Sequence, residues 1–425
     1  MSINSTLTTI AAAGAVGGLT YWVNEITFSG SGGVLSAVMD ASPDLVCVGA
    51  RTIGASNDGT FLTFNQDGVL QNKTNNTVDG NKVLHANGLL YDADTDAWYT
   101  TIFDGSQQLV GCFSGDPSGG YTWLKDLGHG GADTEHTVMQ PDGSNIIFST
   151  RVNSRLGVYK IAKSNGAKIN YVSYATQNVT FGSLKIAKGN EYTTQVVAVG
   201  TRYVSGYGAS TTYGNLTTSL GSISSGGYLY QDNGWTQSFG RSEVALDGSG
   251  NAYGQWGSIF WSTNSSGSLR FSLTQGYGEF ISYAWAETGD YLLALTKTGD
   301  LVRINPSTGQ PKDGVRRRCR GGDIKPINDY GFSNLHIDEE NNIAWYTAAG
   351  TNGEVFVIKR PLDSSLDGVY GSFTLSTATM AFSSRSDVYN TGQSFYNYSE
   401  SSTQSNKTAS TSTDNRWSST VQEIG

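Results

Sequence analysis

Charge is scarce in this chain: 15% of its 425 residues are Asp, Glu, Lys or Arg, and 27 basic residues face 36 acidic ones, for a net charge of −9. Nucleic-acid binding by a general basic face is therefore excluded. Long helices are disfavoured, because the Glu, Lys, Leu and Ala that build them are too few. Three cysteines make neither a disulfide framework nor a zinc-ligand spacing. Cys47 and Cys112 sit in the apolar runs DLVCVGA and LVGCFSG and read as buried strand residues, suiting assembly in a reducing cytoplasm. No apolar run is long enough to cross a bilayer as a helix, so no membrane insertion is expected. The stretch AAAGAVGGL near the start lacks a preceding Lys or Arg and is Gly-rich, unlike a secretory signal.

What the chain has is 54 Gly, 23 Tyr, 16 Phe and 9 Trp, with abundant Ser, Thr and Asn. That composition suits many short strands joined by tight turns, so an all-β fold is expected. One hairpin pattern recurs: an apolar alternating strand, a polar Asn/Asp/Ser/Gly corner, then a strand rich in Leu, Tyr or Trp. FLTFNQDGVL, VYKIAKSNGAKINYV, IFWSTNSSGSLRFSL and LVRINPSTGQP are four copies. Ahead of each lies another hairpin, including GLLYDADTDAWYTTIF, VALDGSGNAYGQW, YAWAETGDYLLALT and LHIDEENNIAWYTA. Its corners end at Asp44, Asp96, Asn145, near Thr194, and at Asn251, Asp290 and Asn342. Successive spacings of about 40 to 57 residues match a four-stranded propeller blade. The expected fold is a β-propeller of seven four-stranded blades over residues 21–380, preceded by a docking segment (1–20) and followed by a Ser/Thr/Asn-rich tail (381–425). A β-helix would have a shorter period, and two β-sandwiches would not repeat so evenly.

TYWVNEITFSG (20–30) resembles an outermost strand and is expected to complete the last blade, closing the ring. Residues after 381 contain too few apolar side chains for a core of their own and are expected to form a flexible tail, which Trp417, Val421 and Ile424 could anchor on a neighbouring subunit. The basic run RRRCR (Arg316 to Arg318, Arg320) reads as a solvated loop, with phosphate, a sulfated glycan or an acidic partner as the functional alternative.

Catalytic signatures are missing. There is no P-loop, dinucleotide fingerprint, nucleophile elbow or HExxH, and no cofactor is implied. Asp92, Asp94 and Asp96 in YDADTDAWY alternate as in the start of a calcium loop, but the equivalent corners lack the pattern and a turn is the better reading. His129 and His136, near Asp133 and Glu135, are the closest histidine pair and fit a Gly-rich link between blades. Glycosidase carboxylates would have to converge on one cleft, and no Asp-box of a sialidase is present. No residue is assigned a catalytic, metal-binding or cofactor-binding role. The candidate ligand surface is the Tyr-rich stretch 203–230, read as a blade insertion carrying Tyr203, Tyr207, Tyr213, Tyr228 and Tyr230, since flat rings among small polar groups suit glycan and protein contacts.

The polar start, then AAAGAVGGLTYW, then repeats such as VALDGSGNAYG and SSGSLRFSL together resemble virion structural proteins of tailed phages, especially those of marine and cyanobacterial hosts. The resemblance implies a non-enzymatic tail-fibre or virion-surface protein, located in the virion after assembly in the host cytoplasm. It would dock on tail, adaptor or capsid proteins through an apolar peg (Ile10, Ala11, Ala12, Val16 and Leu19) and present the propeller to a host surface glycan or protein for attachment. A capsid decoration protein is the alternative, and a propeller glycan hydrolase or lyase a more distant one.

Overall fold

The computed structural model describes residues 21–30, 34–52, 59–83, 85–130, 137–152, 155–176, 181–186, 195–204, 208–217, 219–220, 225–231, 244–276, 278–321, 324–325, 335–350, 354–363, 366–370, 373–392, 395–398 and 403–424. The expected docking peg, Tyr207 and the Asp133–His136 stretch lie outside them. Apart from one 3-10 turn, Pro117–Gly119, the described elements are β-strands, and they form seven sheets. Among the described residues, no helix is long and apolar enough to cross a membrane.

Six sheets begin with four strands consecutive in the chain. Sheet I is Val34–Ala41, Leu45–Thr52, Gly59–Asn65 and Leu70–Val78; sheet II is His85–Asp92, Ala97–Phe103, Gln107–Ser114 and Trp123–Gly130. Sheet III runs from Met139–Asp142 to Lys168–Thr176, sheet IV from Phe181–Ile186 to Ser225–Gln231, sheet V from Val244–Leu246 to Leu269–Thr274, and sheet VI from Phe280–Ala286 to Val315–Gly321. Sheet VII is assembled from both ends of the chain. His336–Asp338 and Ile324–Lys325 flank Ile343–Gly350, then come Val355–Pro361 and the N-terminal strand Tyr21–Phe28.

The sheets stack as propeller blades. Leu293 and Leu301 of sheet VI share a core with Tyr346 and Phe356 of sheet VII. Trp22 and Trp345 of sheet VII share the next with Met39, Val48 and Leu62 of sheet I, so the last sheet packs on the first and the ring closes. Second strands lie between neighbours on both faces. Ala97–Phe103 and Tyr291–Thr296 are accordingly buried along their whole length and read as continuous runs rather than alternating ones.

Turn chemistry explains the repeat. In the hairpins of FNQDGVL, STNSSGSL and INPSTGQP, the side chains of Asn65, Asn264 and Asn305 accept backbone N–H bonds from residues two to four positions on. Each then reaches a glycine in the left-handed region: Gly68, Gly267 and Gly309, with φ of 79°, 84° and 73°. In the other family of corners, Asp96, Asp290 and Asn342 take φ of 47°, 46° and 59°, a conformation that short Asp and Asn side chains tolerate. YDADTDAWY is thus a turn: Asp92 is buried and accepts a bond from Thr95, and the Tyr91 hydroxyl donates to Asp96 at 3.0 Å.

Tyr21–Phe28 does complete the last sheet, pairing with Val355–Pro361 from Trp22↔Lys359 to Ile26↔Val355. Trp22, Val23 and Ile26 are fully buried. The strand also reaches across the seam, where Trp22 Nε1 donates to the Gln66 carbonyl of sheet I at 2.8 Å. The ring of Trp22 lies against Gly68, where a Cβ would stand 2.7 Å from it, so this turn requires glycine for space as well as for φ.

The C-terminal segment departs from expectation. It is no flexible tail where it is described, and it anchors on its own chain. Phe373–Thr379 pairs with the outer strand of sheet VI, and Ser383–Ser384 with that of sheet V. Val388–Gly392 and Phe395–Tyr398 follow on sheets IV and III, Ser405–Asn406 and Ala409–Thr413 on sheets II and I. Trp417–Ile424 finally pairs with Tyr21–Phe28 of sheet VII. The chain therefore runs backwards around the whole rim, adding one antiparallel strand to each sheet, and the sheets are five- and six-stranded rather than four-stranded. A core-forming composition was not needed, because the strand borrows the open edge of a sheet that already exists. Single apolar anchors suffice: Leu375, Phe382, Val388, Trp417 and Ile424 are buried, while Val421, one of the expected anchors, is 42% exposed.

Two other expectations change. RRRCR is the outer strand Val315–Gly321, not a solvated loop. Arg316 pairs with Asp300 at 2.9 Å, Arg317 pairs with Asp313, and Cys319 is buried, so the first two of the four arginines are neutralised within their own sheet. The stretch 203–230 is not an insertion. Tyr203, Tyr213, and Tyr228 with Tyr230 lie on the successive strands Gln195–Val204, Gly208–Thr217 and Ser225–Gln231 of sheet IV, in unbroken register. Cys47 and Cys112 are buried strand residues as the sequence indicates; burial pushes the Cys112 thiol up to about 11.

Candidate functional site

The innermost strands end at one mouth of the ring in a recurring way. At or next to the end of that strand stands a carboxylate in six sheets: Asp40, Asp92, Asp142, Asp247, Glu287 and Asp338. The sequence carries this signal plainly, in VMD, LYD, QPD, ALD, WAE and HID, but it is visible as a ring only once the blades are superposed on one another. These corners surround a cavity of about 1060 Å³, lined from sheets I, II, III, V, VI and VII.

Two of these carboxylates, together with Glu339 beside Asp338, tie one sheet to the next. Asp40 of sheet I accepts from the Tyr91 N–H of sheet II at 2.8 Å and lies 2.5 Å from His336 Nδ1 of sheet VII. Glu339 of sheet VII accepts from the backbone N–H groups of Thr288 and Gly289 in sheet VI, at 3.1 and 3.0 Å. Asp92 of sheet II meets Lys163 of sheet III at 2.6 Å, with both side chains 4% exposed. Breaking such a pair leaves a buried charge uncompensated. Lys163→Met should destabilise the fold by about 3–5 kcal/mol, and adding Asp92→Leu should recover much of the loss. Equal melting temperatures for single and double variants would show that the pair is not coupled.

Aromatic side chains alternate with the acids. Tyr91, Trp285 and Trp345 line the cavity, and His336 packs on Trp345 with ring centroids 5.4 Å apart. The Trp285 indole N–H donates to Glu287 at 2.5 Å. Burial and the bond to Asp96 push the Tyr91 hydroxyl up to about 12, so it remains a donor at neutral pH. Lys359 lies over Trp345, 5.9 Å from the ring centre, and donates to the Gln66 carbonyl at 2.8 Å; burial pulls its ammonium below the ordinary lysine value. Asp94, Glu287 and Glu340 are exposed at the rim. Among the described residues, no group of three or more His, Cys, Asp or Glu side chains is placed to hold a metal ion.

Of the expected site residues, Tyr203, Tyr213, Tyr228 and Tyr230 are placed on sheet IV as described, and the docking peg and Tyr207 fall outside the described residues. Sequence reasoning did not single out Tyr91, Trp285, His336, Glu339 or Trp345 as a set, because they come from sheets II, VI and VII and meet only through ring closure.

No protein family matches the sequence, and no curated protein does either. Among solved structures, the chain is similar to BamB from Moraxella catarrhalis, at 14% identity and a TM-score of 0.42, over 76% of this chain and 96% of that one. It is also similar to the WD40 β-propeller domain of Doa1, at 8% identity and a TM-score of 0.44, over 80% and 97%. The assignment as an all-β propeller rests on the chain's own strand order and on the packing of its last sheet against its first.

Proposed function

We propose that this chain is a non-enzymatic structural protein of a tailed-phage particle, a tail-associated or surface appendage that docks through its N-terminal segment and presents the propeller to the host surface. The observation that carries this reading is the sealed rim. Each sheet has its outer edge covered by the same chain's C-terminal strands. The edges then exposed belong to polar rim strands, in places only two residues long, as at Ser383–Ser384 and Ser405–Asn406, which disfavours edge-to-edge pairing with neighbours and suits a protein held at high local density on a particle. Contacts then fall to the two ends of the ring and to the segment preceding Tyr21. The absence of enzymatic function is part of the proposal. It is supported by the cavity carboxylates Asp40, Asp92 and Glu339, which are engaged in holding sheets together rather than facing each other across a cleft.

Mass spectrometry and immunogold labelling of purified particles test this directly. The protein should be present and located at the tail. Labelling spread over the capsid would replace this reading with capsid decoration, and absence from particles would overturn it. Incubation with host polysaccharide should release no reducing ends or unsaturated products; release of either would make the protein a hydrolase or lyase.

A further inference from the structure

Residues 1–20 continue directly into Tyr21–Phe28, the strand that closes the ring. We infer that this strand is a mechanical clamp, which carries a load applied through the N-terminus in shear across two ladders at once. The N-terminus is then the strong end of the protein and the C-terminus the weak one. This rests on the docking reading, which supplies the load, and adds how the propeller withstands it.

Tyr21–Phe28 pairs with Val355–Pro361 on one side, from Trp22↔Lys359 to Ile26↔Val355. On the other side it pairs with Trp417–Ile424, from Tyr21↔Ile424 to Phe28↔Trp417. Trp417–Ile424 stands at the edge of sheet VII, and among the described strands it pairs with the closing strand alone. Both ladders are antiparallel, and antiparallel hydrogen bonds lie perpendicular to the strands. A pull on the N-terminal end along the strand, with the propeller held near Val355, therefore strains the bonds of both ladders together. A pull that parts Tyr21 from Ile424 starts at one end and opens the bonds one after another.

Side chains reinforce the clamp. Trp22 Nε1 and Asn24 Nδ2 donate to the carbonyls of Gln66 and Gly68 in one turn of sheet I, and both side chains are fully buried. At the far end the Ser29 N–H donates to the Arg416 carbonyl at 2.9 Å, and the Arg416 guanidinium lies over the Phe28 ring, 4.9 Å from its centre. Slippage offers no relief. Trp22 and Ile26 face the core shared with sheet I, while Val23 faces the core shared with sheet VI. A slip of one residue would exchange these faces, so the strand holds in register or leaves altogether.

Single-molecule pulling on the full chain tests this. One handle is attached at residue 1 and the other through Glu354→Cys, beside Val355; Cys47, Cys112 and Cys319 are buried, so the new thiol is labelled selectively. This geometry shears the closing strand. Moving the second handle to the C-terminus, next to Ile424, unzips it from Trp417–Ile424 instead. Forced unfolding is governed by the barrier to leaving the native state, so at one loading rate the first rupture in shear should need at least about three times the unzipping force. Handles on the C-terminus and Glu354→Cys load a single ladder along its length and should give an intermediate force. Equal forces in the shearing and unzipping geometries, or a C-terminal handle that holds more than the N-terminal one against Glu354→Cys, would overturn the inference. An unchanged melting temperature shows that Glu354→Cys keeps the native ring; if it falls, Ser418→Cys, exposed and opposite Thr27, supplies the shearing geometry. The parent reading fails separately. If the force ratio holds but the protein is missing from particles, the clamp stands and the virion role does not. If the protein is on particles and the ratio is absent, the reverse holds.

Discussion

Truncation after Ala381 should uncover the outer edge of six sheets at once, with only Phe373–Thr379 left in place on sheet VI. The expected result is a protein that still folds its inner strands but melts at lower temperature and associates through its open edges, seen as concentration-dependent sedimentation. The seal is held most firmly at its end. Trp417 is 1% exposed, packs against Phe28 with ring centroids 4.9 Å apart and planes tilted by 49°, and donates to Asp414 at 2.9 Å and to Thr60 of sheet I at 3.1 Å. Lys73 donates to its carbonyl at 2.8 Å. Trp417→Ala should therefore cost about 3–5 kcal/mol, the usual range for deleting a buried Trp side chain. A truncated protein that stays monomeric with an unchanged melting temperature would show that the rim strands are decoration.

Acid should loosen the same seal before it unfolds the rest. The backbone N–H of Thr408 and the Lys407 ammonium hold the Asp79 carboxyl below its ordinary 3.8. Burial pushes the Asp414 carboxyl up, but its bonds from Arg416 and Trp417 outweigh this and also leave it below 3.8. Both groups favour the charged form when folded, so their stabilisation is complete above the unfolded value and is lost as pH falls through the lower folded values. Hydrogen exchange should rise first in residues 405–424 below about pH 4. Simultaneous loss of protection across all sheets would contradict this.

Deletion of residues 1 to 28 should have the largest effect of any change. It removes Trp22, Val23 and Ile26 from two cores and takes away the strand that both Val355–Pro361 and Trp417–Ile424 pair with. Burial of a large apolar side chain is worth about 1.5–3 kcal/mol, so three of them approach the whole stability of an ordinary domain, about 5–15 kcal/mol. The ring should open between sheets VII and I, and the protein should be recovered unfolded or aggregated. Removal of residues 1 to 20 alone should leave the melting temperature unchanged, because the closing strand begins at Tyr21. An unaltered melt for the longer deletion would mean that the ring is closed by side-chain packing alone.

How much of this was legible in the sequence follows from what each element depends on. Hairpins rest on local chemistry: Asn65, Asn264 and Asn305 with their following glycines, or Asp96, Asp290 and Asn342 at the corners, specify turns whatever lies around them. Their spacing was enough to give the propeller period, and the resemblance of TYWVNEITF to an outer strand gave the closure. Arg316 to Arg320 misled because charge suggests solvent, whereas Asp300 and Asp313, which neutralise the first two of these arginines, arrive from the neighbouring turns. The rim strands were illegible for a different reason. A Ser/Thr-rich segment with one apolar residue in several cannot form a core, so composition predicts disorder, yet backbone N–H and C=O groups pair with any open edge of suitable length. Only the assembled ring offers such an edge on every sheet. The acidic mouth is the intermediate case: the sequence carries a carboxylate at or next to the end of the inner strand in six of the seven sheets, while the closed ring decided that Asp40, His336, Glu339, Trp285 and Trp345 would line one cavity, because residues from opposite ends of the chain become neighbours only when sheet VII packs on sheet I.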